Sequence, residues 1–352
     1  MELLPIHDDP EWPYVLTLLP ADLEERALVT RALVRRREIP NAASLLRLAL
    51  AYAVSDLSLK DVAAWARAMA VARISGPGLF YRLRAAEGWL AELLARVLDD
   101  GIGERRRGLE LRIVDATVID GPGAEGTEWR AHVQIDAASG RLRAVELTNE
   151  HGGERFDRQR FVGGEVVLGD RGYATARGIA WVSAAGADVV VRFNPQTLRL
   201  CDLQRRRIDL QTETEKIPAV GGYEWEVMLP VPPDKRSRSH KPWPLHQAKA
   251  WIVLRVVAAR TRTGPIIWVL TTATKDRLST GEVLELYRLR WQIELLFKRL
   301  KSLLHLDSLP SRQGPTARSW MLARFLAAAL TQKLLDPAGS LSPWGYAIGP
   351  PR

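Results

Sequence analysis

The sequence predicts an α/β fold built on a mixed sheet, interrupted by an inserted β subdomain and preceded by an all-helical N-terminal domain. Three observations predict it. Apolar residues recur at helical spacing from Leu23 to Leu98, with few β-branched runs. Residues 110–194 instead carry short β-branched segments, three in a row and then two separated by a helix-length stretch. After a polar, proline-rich interruption the α/β pattern resumes at Ile266.

The helical part occupies residues 1–105. Within it, Asp56-Leu57-Ser58-Leu59-Lys60-Asp61 looks like a helix start, with Ser58 as N-cap and Asp61 as a weak capping-box partner. The helix LKDVAAWARAMA runs into a turn at 74–78, and a second helix follows in LFYRLRAAEGWLAELL, carrying Arg82 and Arg84. Helix, glycine-containing turn and basic helix outline a helix-turn-helix reader of the DNA major groove, although many packed helix pairs share that outline. Arg35-Arg36-Arg37 and Arg105-Arg106-Arg107 read as solvated faces or linkers.

The first part of the α/β core spans 106–194: strands LRIVDATVI, WRAHVQID and RLRAVELTN, then strand EVVLGD, a helix near 174–186 and strand DVVVRF. Residues 195–265 form the inserted β subdomain, with YEWEVMLPV, AWIVLRVVAAR and the basic stretch 235–241 as a flexible loop. The second part of the core, 266–305, holds strand IIWVLTTA and a long helix from about Thr280 to Leu304. Residues 306–352 hold an apolar helix and an irregular tail.

Bulk properties narrow the function classes. The 352 residues exceed one small core, so two or three domains are expected. Lys and Arg outnumber Asp and Glu by 50 to 41, a formal charge of +9 and a pI near 9.9. Such an excess suits a polyanionic partner, because Lys and Arg on phosphates release condensed counterions; a basic surface without a partner fits equally well. Cys201 is the only cysteine, which excludes an internal disulfide and a thiolate zinc site and fits a reducing cytoplasm. No apolar run reaches the roughly 20 residues of a membrane span, and the acidic, proline-broken MELLPIHDDPEW is not a signal peptide. A cytoplasmic protein is expected.

The chemistry concentrates in carboxylates. Asp115 follows Arg112-Ile113-Val114 and Asp170 follows Val166-Val167-Leu168-Gly169, both read as strand ends. Carboxylates closing buried strands are costly unless paired or metal-bound. If the strands are neighbours the two repel each other, and a pair of Mg²⁺ ions, hard cations preferring oxygen, relieves the repulsion. A helix cap or turn role for either residue is the plainer reading on two residues alone. The helix ELYRLRWQIELLFKRLKSLL adds a stripe, Tyr287, Arg290, Glu294, Lys298 and Lys301, spaced three, four, four and three apart. Leu289, Ile293, Leu296, Phe297 and Leu300 make an apolar side able to pack on the sheet. Helix salt bridging accounts for such a stripe, and so does a metal ligand framed by cations that grip a phosphate backbone.

Residues 110–305 resemble the DDE transposases of the insertion-sequence four family, whose catalytic core is RNase H-like. The resemblance rests on Tyr287, Arg290, Glu294 and Lys301 at the family's spacing, and on Val114-Asp115-Ala116-Thr117 and Gly169-Asp170-Arg171-Gly172-Tyr173. The stretch His151-Gly152-Gly153-Glu154-Arg155 is also similar. It implies that 195–265 is the β insertion some relatives carry, and that Trp268 stacks on a base flipped out beside the cleavage site. Core packing is the other reading of Trp268, and both stand. Relatives often extend further beyond the third carboxylate, which raises a shortened copy as an expectation.

The resemblance further implies that Asp115, Asp170 and Glu294 hold two Mg²⁺ ions, with Mn²⁺ able to substitute, for in-line attack on phosphorus. Arg290, Lys298 and Lys301 would contact phosphates and Tyr287 would position the strand. The N-terminal helices would bind inverted-repeat ends of double-stranded DNA, with a homodimer pairing two ends and capturing target DNA. The alternatives are a domesticated DNA-binding protein without cutting, and an RNase H-like nuclease that hydrolyses without joining.

Overall fold

The computed structural model describes residues 11–55, 57–99, 110–121, 129–137, 139–233, 243–261, 264–289, 309–310 and 314–335. Arg290, Glu294, Lys298 and Lys301, the Arg105-Arg106-Arg107 run and the basic stretch 235–241 lie outside these residues.

The helical part comprises α1 (Glu11–Thr17), α2 (Leu23–Val29), α3 (Ala42–Val54), α4 (Leu59–Ala68), α5 (Gly76–Ala85) and α6 (Glu87–Asp99). Local chemistry sets its helix starts. The Ser58 hydroxyl accepts from the Asp61 amide at 3.2 Å and donates to the Asp61 carboxylate at 2.6 Å. Ser75 caps α5 by accepting from the Gly78 amide, with Pro77 in the first turn, where its missing N–H costs nothing. The single helix expected over LFYRLRAAEGWLAELL is instead two, α5 and α6, meeting at Ala86. The division lets α6 send Trp89, Leu90, Leu93, Leu94, Val97 and Leu98 into the core, each worth about 1.5–3 kcal/mol of burial.

The described strands form one eight-stranded sheet ordered β3-β2-β1-β4-β5-β8-β7-β6. They are β1 (Leu111–Ile119), β2 (Trp129–Asp136), β3 (Leu142–Asn149), β4 (Val166–Gly169), β5 (Asp188–Arg192), β6 (Gly222–Val231), β7 (Ala250–Arg260) and β8 (Ile266–Thr271). β1, β4 and β5 run parallel, while β2 is antiparallel to both β1 and β3. This is the expected RNase H-like mixed sheet, with helix α7 (Ala176–Ala184) crossing from β4 to β5. Residues 195–265, expected as an inserted β subdomain, contribute β6 and β7, which pair antiparallel and continue the same sheet beyond β8.

Side chains alternate across the sheet, so each strand feeds two cores. On one face Ile113, Val133, Leu168, Val190 and Val269 join the N-terminal helices, helix α8 (Thr280–Leu289) and helix α9 (Gly314–Leu335) in a continuous core. On the other face Val114, Val167, Val189, Trp268 and Leu270 pack with Phe156, Tyr173 and Ile179. Helix α9 packs on α3, α5 and α6 and reaches β3. Its Arg318 donates to the Leu147 carbonyl, and its Gln332 accepts from the Leu142 amide at 3.1 Å and donates to the Gly140 carbonyl. These side chains occupy backbone groups along β3, the sheet's end strand, that would otherwise invite another strand.

Candidate active site

The parallel ladder between β1 and β4 pairs Leu111 with Val166, Arg112 with Val167 and Ile113 with Leu168. Carried two residues further, that register sets Asp115 opposite Asp170. A buried ion pair between Arg112 and Glu165, at the start of the ladder, holds the register; the second Glu165 oxygen accepts from the Val162 amide at 2.9 Å. Asp115 was expected at a strand end and lies mid-strand instead, because β2 pairs with β1 as far as Ile119. What ends beside Asp115 is the neighbour, since β4 stops at Gly169. Both aspartates are half-buried, and by alternation both belong to the face covered by α8. One Asp115 oxygen accepts from the Ala116 amide at 2.8 Å.

Asp170 opens a single 3-10 turn, Arg171–Tyr173, without capping it through its side chain, so the cap reading does not account for it. The turn folds tightly against the 151–158 loop. A Cβ at Gly172 would overlap the Glu154 carboxylate, and one at Gly169 would sit 2.7 Å from Cζ of Phe156. Glu154 therefore lies against the turn that carries Asp170. Its motif block was noticed in the sequence, but no local spacing marks its approach to Gly172. The loop is buttressed from β2 and its own far end: Arg130 donates to the Gly152 carbonyl and Arg158 to the Gly153 carbonyl, both at 3.0 Å. Arg158 also bonds Glu146 at 3.1 Å. The Tyr173 hydroxyl is buried and makes no hydrogen bond among the described residues. Burial, reinforced by the negative charges of Asp115 and Glu154, pushes it above its ordinary value. Burial and the positive charges of Arg158 and Arg130 lower His132 to about 4, so it is neutral at pH 7, with its Nε2 3.0 Å from the Thr148 hydroxyl.

Helix α8 begins with a capping box: Ser279 donates through its amide and hydroxyl to Glu282, and accepts from the Glu282 amide at 3.3 Å. Val283 and Tyr287, one turn apart, are buried in the core shared with β1 and β4. Tyr287 thus faces inward from α8, and Glu294, seven residues on, lies outside the described residues. Trp268 lies on the opposite face of the sheet from the aspartates, 8% exposed and stacked on Trp225 with centroids 5.7 Å apart. Arg82 is half-buried and Arg84 exposed on α5, which packs on α4 and α9 away from the sheet.

Residues 106–330 match the family model described as Transposase DDE domain. The chain is 34% identical to the putative transposase InsL for insertion sequence element IS186A of Escherichia coli (strain K12), over 96% of both chains. It is equally similar, 34% over 96% of each, to the transposase for insertion sequence element IS421 of Escherichia coli. The chain belongs to the DDE transposases of insertion sequences. It is accordingly an enzyme of DNA transposition, one that cleaves and transfers DNA strands, and this family generally uses divalent metal ions. In fold it is similar to the piggyBac transposase solved as a synaptic complex with hairpin DNA, at a TM-score of 0.50 and 10% identity, over 98% of this chain and 78% of that one. No helix among the described residues is long and apolar enough to cross a membrane.

Proposed function

We propose that Asp115, Asp170 and Glu294 are the catalytic carboxylates of this transposase and that together they hold two Mg²⁺ ions, replaceable by Mn²⁺. The observation that carries the reading is the register of β1 on β4, which sets Asp115 opposite Asp170 where the parallel ladder ends. Two half-buried carboxylates on one face, with Tyr287 of α8 buried in the same core, suit hard cations that accept shared oxygen ligands. When bound, such a pair supplies charge stabilisation to the attacking and leaving oxygens of an in-line displacement at phosphorus. The chain's own contribution is positional. The Arg112–Glu165 pair fixes the strand register, and the Gly169 and Gly172 contacts fix the turn that carries Asp170. Arg290, Lys298 and Lys301 contact phosphates near the cut, and Tyr287 holds the helix that presents them. Arg82 and Arg84 of α5 bind the inverted-repeat ends of double-stranded DNA, and Trp268 packs on Trp225 in the core.

Transposition requires two ends, and a homodimer in a synaptic complex supplies one subunit to each before target capture. The division of labour follows: residues 1–105 bind ends, 106–194 and 266–305 carry the chemistry, 195–265 are the insertion, and within 306–352 helix α9 closes the helical core. The test is cleavage and joining of a duplex carrying the element's own repeat, with Mg²⁺, by wild type, Asp115→Asn, Asp170→Asn and Glu294→Ala. Metal-dependent cutting and joining, lost in all three variants while end binding persists, is the expected result. Cleavage without joined products would mark a nuclease, and a variant that cuts like wild type would remove that residue from the triad.

A further inference from the structure

Beyond the carboxylates themselves, the insertion holds a device that acts on the helix carrying the third of them. Glu224 of β6 gathers three partners: Arg255 of β7 at 2.6 Å, the Lys275 ammonium at 2.7 Å and the hydroxyl of Thr280, the first residue of α8, at 2.7 Å. Arg255 is 6% exposed, and its guanidinium also donates to the carbonyls of Ala273 and Leu278, at 3.1 and 2.7 Å, in the connection leading to α8. The same connection is tied to β5, where Asp188 accepts from Thr272 at 2.9 Å and pairs with Arg277 at 2.8 Å. A second, apolar observation points the same way. A Cβ at Gly222, the first residue of β6, would come 3.0 Å from Leu284 Cδ1 and 3.0 Å from Thr280 Cγ2, so α8 rests directly on that glycine.

We infer that the β6–β7 hairpin is the seat of the third-carboxylate helix, and that Glu224 and Arg255 are positioning residues for strand cleavage, acting through Thr280 and the 273–278 connection. The inference rests on Glu294 being the third carboxylate, as proposed above. The physical argument is leverage. Thr280 and Leu289, the ends of helix α8, lie nine residues apart, about 14 Å of axis, so a small tilt at its first turn becomes a larger displacement at its far end, from which the chain leads on to Glu294. A reacting geometry misplaced by 1 Å costs on the order of 10²-fold in rate. A buried Arg whose carboxylate partner is neutralised keeps its carbonyl contacts and loses its only anion among the described residues, so Glu224→Gln loosens the clamp without deleting the hairpin.

The experiment uses the full chain and a duplex bearing the element's own end, comparing wild type, Glu224→Gln, Thr280→Val, Gly222→Ala and Glu294→Ala. Folding midpoint, end-DNA binding and cleavage are measured, the last as a function of Mg²⁺ and of Mn²⁺ concentration. The expected result for Glu224→Gln is at least about a tenfold loss of cleavage, with end binding within about twofold of wild type. The Mg²⁺ concentration giving half-maximal cleavage rises as well, which a purely structural loss would not produce. Thr280→Val, which removes only the hydroxyl on the helix, shifts the metal requirement in the same direction by less. Should Glu224→Gln not fold, Thr280→Val and Gly222→Ala carry the test. The inference is overturned if the folded variants cleave with the wild-type rate and metal requirement, or lose cleavage only in proportion to lost binding or folded fraction. Glu294→Ala separates the two layers: wild-type cleavage by that variant sinks the catalytic triad, whereas an inactive Glu294→Ala beside a wild-type-like Glu224→Gln sinks only the clamp.

Discussion

Replacing Gly169 by alanine probes how closely the strand before Asp170 is held. The added methyl would stand 2.7 Å from Cζ and 3.1 Å from Cε1 of Phe156, and 3.1 Å from Cβ of Tyr173. Carbon atoms pack best about 3.5–4.0 Å apart, so the Phe156 ring must withdraw by about 1 Å. It has little room, being fully buried between Tyr173 and Phe161, with ring centroids 5.1 and 6.1 Å away. Overpacking of this kind costs about 1–3 kcal/mol. β4 can relieve part of it by moving toward its other face, and that motion carries Asp170 relative to Asp115. Urea unfolding of Gly169→Ala, Phe156→Leu and the double variant measures the coupling, since the leucine removes the Cζ atom. An interaction energy of about 0.5–3 kcal/mol is expected between the two sites. Cleavage by Gly169→Ala should fall more than its folded fraction does. Stability within about 0.5 kcal/mol of wild type together with full activity would refute the reasoning.

Three further outcomes follow from the packing. Trp268→Ala empties the stack on Trp225 and should cost about 3–5 kcal/mol in unfolding experiments; a variant that keeps wild-type stability yet loses strand joining would restore the base-stacking role. Burial alone would raise the Glu224 carboxyl, but hydrogen bonds from Lys275, Arg255 and Thr280 outweigh it and hold it at about 2, against an ordinary 4.5. Its folded value being the lower, its stabilisation is present above about pH 4.5 and is lost as the pH falls toward 2. Melting midpoints should therefore drop more steeply below pH 4.5 in wild type than in Glu224→Gln, and equal slopes would contradict this. Arg318→Met removes the donor on the Leu147 carbonyl and the pair with Glu87, leaving β3 open to intermolecular pairing. Light scattering should register concentration-dependent association, and an oligomeric state unchanged from wild type would argue that other contacts protect the edge.

Much of this architecture was legible because it is written locally. Ser58 announces a helix start through groups within three residues, whereas Ser75 and Pro77, expected in a turn, cap and open α5; every expected strand appears within a few positions of its β-branched run. The division at Ala86 was not legible, because alanine continues a helix as readily as it ends one; the packing of Trp89 and its neighbours decides it. Asp115 interrupts the apolar run inside the expected strand LRIVDATVI, and its pairing across to β2 is what no local pattern states. The two aspartates were recognisable one by one, but their juxtaposition depends on the parallel register and on an ion pair 53 residues apart in sequence. Tyr287 looked like the polar end of an exposed stripe, and the tertiary core claims it instead. Glu224 and Arg255 carried no signal, since a salt bridge across a hairpin looks like two ordinary surface charges until the strands are paired.

The docking of α9 has a consequence for how the protein comes into being. The apolar faces of α3, α5 and α6 are completed by a helix that begins some 215 residues after α6 ends (from 99 to 314). At about 5–20 residues per second, a ribosome needs on the order of 10–40 s to deliver it, and the emerging N-terminal helices wait uncovered for that time. A chain terminated early, before Gly314, never receives its cover and presents sticky helices to chaperones and proteases rather than a finished fold.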